Sequence, residues 1–208
     1  MIAVADLIRS EVKPGNEAIV EHSLQENLSR VKLEPATIAW FAFRIGSSTF
    51  GTFAVFSDEQ GRLAHFSDET LARMEKANAF LAQLRIMEKV DILAAKLPQG
   101  ENTVTVGLLT RYEAKPGKEA DVEHSLKAAL SAIQQEPGTT AWFAFSLGSS
   151  TFGVFDAFPD EEGRQAHLSA GTARLREKAS DLVEASLVIE KVDVLAAKGS
   201  SVNNLTKV

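Results

Sequence analysis

The sequence predicts an α+β fold: two ferredoxin-like βαββαβ repeats packed sheet to sheet around a shared core. Three observations carry this expectation. The chain repeats itself at a fixed offset, each repeat reads strand–helix–strand–strand–helix–strand, and the strands are apolar on both faces. His22 and Trp40 recur as His124 and Trp142, each 102 residues later (124 − 22 and 142 − 40). Roughly half of the paired positions between Arg9 and Lys96 and their copies are identical, with no gap. A unit of about 100 residues is a domain-sized piece and too long for a solenoid repeat. The expected organisation is a first domain over 1–97, a linker over 98–103, a second domain over 104–198 and a flexible tail over 199–208.

Within the first repeat, Val4 to Val12 reads as a strand and Lys13-Pro14-Gly15 as a turn, with proline presetting φ and glycine admitting positive φ. Asn16 stands at a helix N-cap position. Val20, Leu24, Leu28 and Val31 then recur as one stripe of an amphipathic helix, repeated by Val122, Leu126, Leu130 and Ile133. Glu34-Pro35 and Glu136-Pro137 close these helices, because the residue before proline avoids the α region. Ile38–Ile45 and Phe50–Phe56 form a hairpin around Gly46–Thr49. Asp58 to Leu84 has a helical pattern, with breaks expected at Ser67-Asp68 and at Ser169-Ala170-Gly171. Arg85 to Lys96 is the last strand. The order is the ferredoxin-like one, with two helices on one face of a four-stranded sheet.

Along Ile38–Ile45 both alternating sets are largely apolar: Ile38, Trp40, Ala42 against Ala39, Phe41, Phe43 and Ile45. Two helices cover one face only, so the other needs a second apolar layer. The second repeat supplies an equivalent sheet. The expected solution is two sheets packed face to face into a barrel-like core, with the helices outside.

Composition narrows the function. The net charge is −6 and no lysine or arginine cluster occurs, which argues against a nucleic-acid partner. The chain has no cysteine, so thiolate nucleophiles, disulfides and cysteine metal sites are excluded. Apolar runs of about six residues are far too short to span a bilayer. Met1–Asp6 lacks a basic n-region, so no signal peptide is expected, and a cytoplasmic location is expected. No Ser-His-Asp order, phosphate loop or glycine fingerprint is visible. His22 and His124 lie about 165° from the apolar stripe of their helices (100° per residue) and should face water. They share that face with no second histidine, so no metal set is expected.

The segment Phe152-Gly-Val-Phe-Asp-Ala-Phe-Pro-Asp-Glu-Glu-Gly-Arg-Gln-Ala-His-Leu168 follows Glu136-Pro-Gly-Thr-Thr-Ala-Trp142 and precedes Ile189-Glu-Lys-Val-Asp-Val-Leu195. Together these resemble the antibiotic biosynthesis monooxygenase domain family, of the dimeric α+β barrel superfamily. The resemblance covers both repeats. It implies a pseudo-dimeric barrel within one chain, with further homodimerisation open. It also implies a cofactor-independent monooxygenase, with molecular oxygen as co-substrate and a small phenolic or quinol-like aromatic as substrate. Superfamily members without known activity leave a non-catalytic binding or stress-related module as the alternative. Haem-degrading relatives leave haem binding through a helix-borne histidine as another.

Under that reading Trp40 and Trp142 wall a pocket and hold a flat ring, although a mid-strand tryptophan equally suits a core. Phe50 and Phe152 line the same cavity. His65 and His167, in Gly-Arg-x-Ala-His, are candidate general bases. A helical wheel sets His65 about 140° from the apolar stripe of its own helix, toward solvent or a rim. Arg62 and Arg164 are candidates to orient an anionic substrate; as helix-surface charges they would merely be solvated. Tyr112 replaces Ser10, Asp156 replaces Ala54 and Ser146 replaces Arg44. Tyr112 and Asp156 are therefore candidate substrate contacts of a second pocket that cannot match the first. Asp156, within a strand, needs a partner or water.

Overall fold

The computed structural model describes residues 4–98, 103–184 and 186–199, with 172–180 described by backbone alone. Most of the expected linker (99–102) and tail (200–208) lies outside the described residues.

The first half runs β1 (Val4–Glu11), α1 (Glu17–Val31), β2 (Thr37–Ile45), β3 (Thr49–Phe56), α2 (Glu59–His65), α3 (Asp68–Ala77) and β4 (Ile86–Lys96). The second runs β5 (Val106–Glu113), α4 (Glu119–Gln134), β6 (Ala141–Leu147), β7 (Thr151–Phe158), α5 (Glu161–Leu182) and β8 (Val188–Lys198). The fold is α+β, and all strand pairs are antiparallel. The register of one half recurs in the other: Val4 faces Phe56 and Glu11 faces Thr49, as Val106 faces Phe158 and Glu113 faces Thr151.

The eight strands close into one barrel in the order β1-β3-β2-β8-β5-β7-β6-β4. The barrel-like core expected from the two-faced strands is thus one closed antiparallel sheet. The cause is the length of β4 and β8, 11 residues each. The first part of β4 pairs with β1, from Val4↔Asp91 to Arg9↔Ile86. Its remainder runs on to pair with β6, from Asp91↔Ser146 to Lys96↔Trp142. β8 does the same between β5 and β2. Among the described residues, closure leaves no exposed sheet edge, the feature that otherwise invites pairing with other chains.

The two-faced strands follow from this architecture. Phe41, Phe43, Phe53 and Val55 point inward and meet Phe143, Phe145 and Phe155 of the other half. The rings of Phe53 and Phe155 stack at 4.8 Å, and Phe41 and Phe155 lie 5.1 Å apart. Each such phenylalanine contributes about 1.5–3 kcal/mol by leaving water. The opposite faces of the same strands pack on helices: Trp40, Ala42, Ala54 and Phe56 meet Val31, with Leu24 and Leu28 beside them.

Lys198 and Lys96 tie each half to the other. Lys198 Nζ donates to the carbonyls of Val31 (2.8 Å) and Glu34, at the end of α1. Lys96 Nζ donates to those of Ile133 (3.1 Å) and Glu136 (2.7 Å), at the end of α4. Each lysine satisfies C-terminal carbonyls that a helix leaves unbonded and sits at the negative end of its dipole. Lys198→Met should therefore cost about 1–3 kcal/mol of stability, read as a lower urea midpoint. An unchanged midpoint would contradict this role.

Two local expectations are corrected. Asn16 stands at the N-cap of α1 as expected, although its side chain makes no cap bond and its amide donates to the Lys13 carbonyl (3.3 Å). The break at Ser67 is real, since Ser67 Oγ accepts from the Thr70 N–H and caps α3. At Ser169-Ala170-Gly171 there is no break, and α5 continues through it. Ser169 Oγ turns back to the Gln165 carbonyl (2.8 Å), and Ala170 replaces Asp68, a strong helix former in place of a weak one. The helical pattern to Leu84 also stops early. Leu81 leaves a short 3-10 turn to form a strand bridge with Val12, and Val183, directly after α5, bridges to Ala114.

Candidate functional site

The site grows from α2. Asp58 caps this helix by accepting from the Gly61 N–H at 2.8 Å. A Cβ at Gly61 would lie 3.1 Å from that of Ala36, so glycine lets the helix settle on the chain entering β2. His65, one turn on along the same face, then reaches Glu34. Its Nδ1 lies 2.6 Å from Glu34 Oε2, which also accepts from Thr37 Oγ1 at 2.7 Å. The imidazole sits between Phe56 and Phe66, with ring centroids 5.3 Å from each.

His65 is only 9% exposed, which corrects the expected solvent-facing position. The wheel assumed one continuous helix, and the break at Ser67 frees α2 to turn that face inward. Burial raises the Glu34 carboxyl, but the bonds from His65 and Thr37 outweigh it and hold the group below the ordinary carboxylate range. An ionised Glu34 keeps the proton on Nδ1, which donates to it and leaves Nε2 as the basic nitrogen. Glu34 and its copy Glu136 were not anticipated as site residues. Their recurrence beside Pro35 and Pro137 is fully explained by helix termination, so nothing set them apart.

Between α1, α3 and the outer face of β1–β3 lies a cavity of about 330 Å³, walled by Trp40, Phe50, His65 and Phe66. The structure thus brings Trp40, Phe50 and His65 together. Trp40 is fully buried and belongs to the packed core as well. Arg62 is elsewhere. Its guanidinium lies over Phe66, bonded to Asp6 (3.2 Å) and Glu59 (2.7 Å). Burial raises the Asp6 carboxyl, with Arg62 opposing that shift.

The second half repeats the dyad but not its surroundings. His167 Nδ1 lies 2.8 Å from Glu136 Oε2, which accepts from Thr139 Oγ1 at 2.9 Å. The buried carboxylate has changed strands: Asp6 opposite Ala54 becomes Leu108 opposite Asp156. Arg164 is buried and donates to the carbonyls of Gly107 (3.3 Å) and Val192 (3.2 Å) and to Glu161. Neither arginine is therefore an exposed helix-surface charge, and neither has its guanidinium free. Where Ser10 lines the first cavity, Tyr112 is a buried ring stacked 6.4 Å from Phe152, in one cluster with Trp142. Burial pushes the Tyr112 hydroxyl pKa up. His22 and His124 face water, as their wheel position requires.

Asp156 is fully buried, and His167 Nε2 stands 3.8 Å from its Oδ1, an oxygen without a hydrogen bond among the described residues. Desolvation pushes its pKa up to about 7, with His167 opposing and Glu136 adding to the shift. A raised carboxyl binds a proton in the folded state that the unfolded chain has released. Its contribution to stability is thus full below about pH 4 and lost as pH rises through about 7. Asp156→Asn should flatten that fall and raise stability at pH 8 by on the order of 2–3 kcal/mol. Urea unfolding at pH 5 and pH 8 reads this; an unchanged difference between the two would refute it.

Among the described residues, no helix is long and apolar enough to cross a membrane. No family model matches the chain, and no curated protein matches it in sequence. Solved structures do match in fold. Proteins from Fusobacterium nucleatum (TM-score 0.84, 15% identity, 96% of both chains) and Lactobacillus acidophilus (TM-score 0.82, 11% identity, 96% of this chain and 97% of the other) are both described as "putative monooxygenase". A Listeria monocytogenes structure, described as an uncharacterized ferredoxin fold protein related to antibiotic biosynthesis monooxygenases, matches with TM-score 0.54 and 8% identity over 92% of this chain and 95% of its own. At the level of fold, the resemblance read from the sequence holds.

Proposed function

We propose, from this monooxygenase-related fold and its cavity, that the chain is a cofactor-independent monooxygenase acting on a small phenolic or quinol-like aromatic. The observation that carries the reading is the meeting of Trp40, Phe50 and the His65–Glu34 dyad at one largely apolar cavity. Its volume falls at the low end of the small-molecule range, fit for one compact aromatic. Trp40 and Phe50 hold the ring. His65 Nε2 takes the phenolic proton, and Glu34 stabilises the resulting imidazolium. The electron-rich anion gives up its electrons to dioxygen inside a site that excludes water. One oxygen atom becomes a carbonyl on the ring; the other leaves as water with the two hydrogens the substrate loses.

We place the working site in the first half. In the second, Tyr112 takes the space that Ser10 leaves open, so His167, Trp142 and Phe152 serve packing. We further read the chain as a duplicated domain, 1–97 and 104–198, folded as an intramolecular pseudo-dimer in the cytoplasm. The matching registers and the reciprocal lysine caps support this. Light scattering after size exclusion should then give a mass near 22.5 kDa; twice that mass would show that the chain dimerises again.

Haem fits less well. The Glu34 bond on Nδ1 is a usual support for a metal-binding histidine, but the cavity, about 330 Å³, is small for a macrocycle. The reading is tested by oxygen uptake of the purified protein with quinols, anthrones and catechols. Protein-dependent uptake is expected for at least one. Binding without uptake across the panel would favour the non-catalytic module.

A further inference from the structure

We infer that the first-half cavity selects an aromatic bearing an anionic group, and that Arg85 is the residue that selects it. The inference rests on the reading of this cavity as the substrate site and adds the charge of its occupant.

The chain carries a net charge of −6, yet the charged side chains lining the cavity are Arg73, Lys76 and Arg85, with no aspartate or glutamate among the described lining residues. The three cations are not equivalent. Arg73 is already neutralised, with Nη1 2.7 Å from Glu69 Oε1, and Lys76 is exposed. Arg85 is half-buried where the chain enters β4. Its Nη2 donates to the Met74 carbonyl and to Asn78 Oδ1 at 2.8 Å. These bonds fix the side chain through neutral acceptors and leave Nη1 and Nε unbonded among the described residues. No carboxylate lies within ion-pair distance of it there. Burial alone moves this guanidinium, downward, with no acid opposing the shift.

A partly desolvated guanidinium with unbonded N–H groups on Nη1 and Nε is matched to a carboxylate or phenolate, to which each can donate a charge-assisted hydrogen bond. The contrast between halves points the same way: the position equivalent to Arg85 is Leu187 (85 + 102). Arg85 occurs only beside the cavity where Ser10 leaves room.

The probes are 2-naphthoate and 2-naphthamide, alike in shape and different in charge. The chain has two tryptophans, so quenching of Trp40 fluorescence in the Trp142→Phe protein reads occupancy of this cavity alone. We expect naphthoate to bind about tenfold or more tightly than naphthamide. Arg85→Leu should abolish that preference while leaving the naphthamide Kd unchanged, and Arg85→Lys should retain part of it. Melting temperatures of both variants establish that they are folded. Equal binding of the two probes, or a preference that survives in Arg85→Leu, overturns the role of Arg85 and leaves the cavity reading standing. Binding of neither probe overturns the cavity reading and this inference with it.

Discussion

His65→Ala should lower turnover of the best aromatic substrate by about 10²–10⁴-fold, the usual contribution of a positioned general base. The fold should survive, because His65 packs in the helix layer, bonded to Glu34, and not inside the barrel. Glu34→Gln should act through His65 as a positioning change. It removes the carboxylate that keeps the proton on Nδ1, so the pH profile of kcat should shift while the KM for the substrate changes little. Trp40→Phe should lower turnover too, chiefly through KM, since the ring that holds the substrate is reduced without being removed. The matched His167→Ala variant separates the halves. If the second half is a packing copy, its turnover stays close to that of the parent protein. Loss of turnover in His167→Ala with retention in His65→Ala would reverse the assignment. Initial rates of oxygen consumption against substrate concentration read all four.

The second large effect concerns the barrel. Gly51→Ala should destabilise the protein by about 3 kcal/mol or more, a fall of about 10 °C in Tm. A Cβ built on Gly51 lies 2.5 Å from the Ile8 carbonyl oxygen and 2.5 Å from Phe43 Cζ. Neither neighbour can retreat. Ile8 belongs to β1, which pairs with β3, and the Phe43 ring is fully buried against Phe155. Backbone strain is not the issue, since Gly51 has no positive φ; the glycine is there to let a ring lie flat over the strand. Gly153 repeats the arrangement, with a built Cβ 2.5 Å from Phe145 Cζ and 2.9 Å from the Thr110 carbonyl. Thermal unfolding of Gly51→Ala and Gly153→Ala should show comparable losses. A change under about 1 kcal/mol in either would mean that the barrel interior is looser than its packing implies.

Much of this was legible in the residues. The helical stripe from Val20 to Val31 and the hairpin at Gly46–Thr49 are short-range patterns, set by periodicity and turn chemistry, and they fall where expected. The two apolar faces of Ile38–Ile45 required a second layer, and that layer exists. A barrel-like core was expected from those faces, but the route of its closure was not legible, because nothing in Ile86–Lys96 tells its first part to pair with β1 and its second part with β6. That division depends on where two curved sheets meet. The helical pattern through Ser169 misled for a related reason: the same serine caps a helix at Ser67 and bonds back within one at Ser169, and the choice is made by the neighbouring Asp68 or Ala170.

The candidate site was legible in residue type more than in arrangement. Trp40, Phe50 and His65 stand out by their recurrence and meet at one cavity. Arg62 stood out as well, yet its charge is directed to Asp6 and Glu59. Arg85 could not be found by recurrence, since its copy is leucine, and its significance lies in having no acidic partner among the described residues, a property only the folded chain reveals. Asp156 shows the converse. The sequence flagged a charge within a strand, and the structure supplies His167 and Glu136 around it.

The central claim is that this chain inserts one atom of dioxygen into an aromatic without a bound prosthetic group. Product mass after turnover under ¹⁸O₂, with protein stripped of metal and flavin, tests it most directly. One ¹⁸O atom in the product, formed about 10²–10⁴-fold more slowly when His65→Ala replaces the parent protein, is the expected result. A product that carries no label, or labelled product formed equally well without the protein, would contradict it.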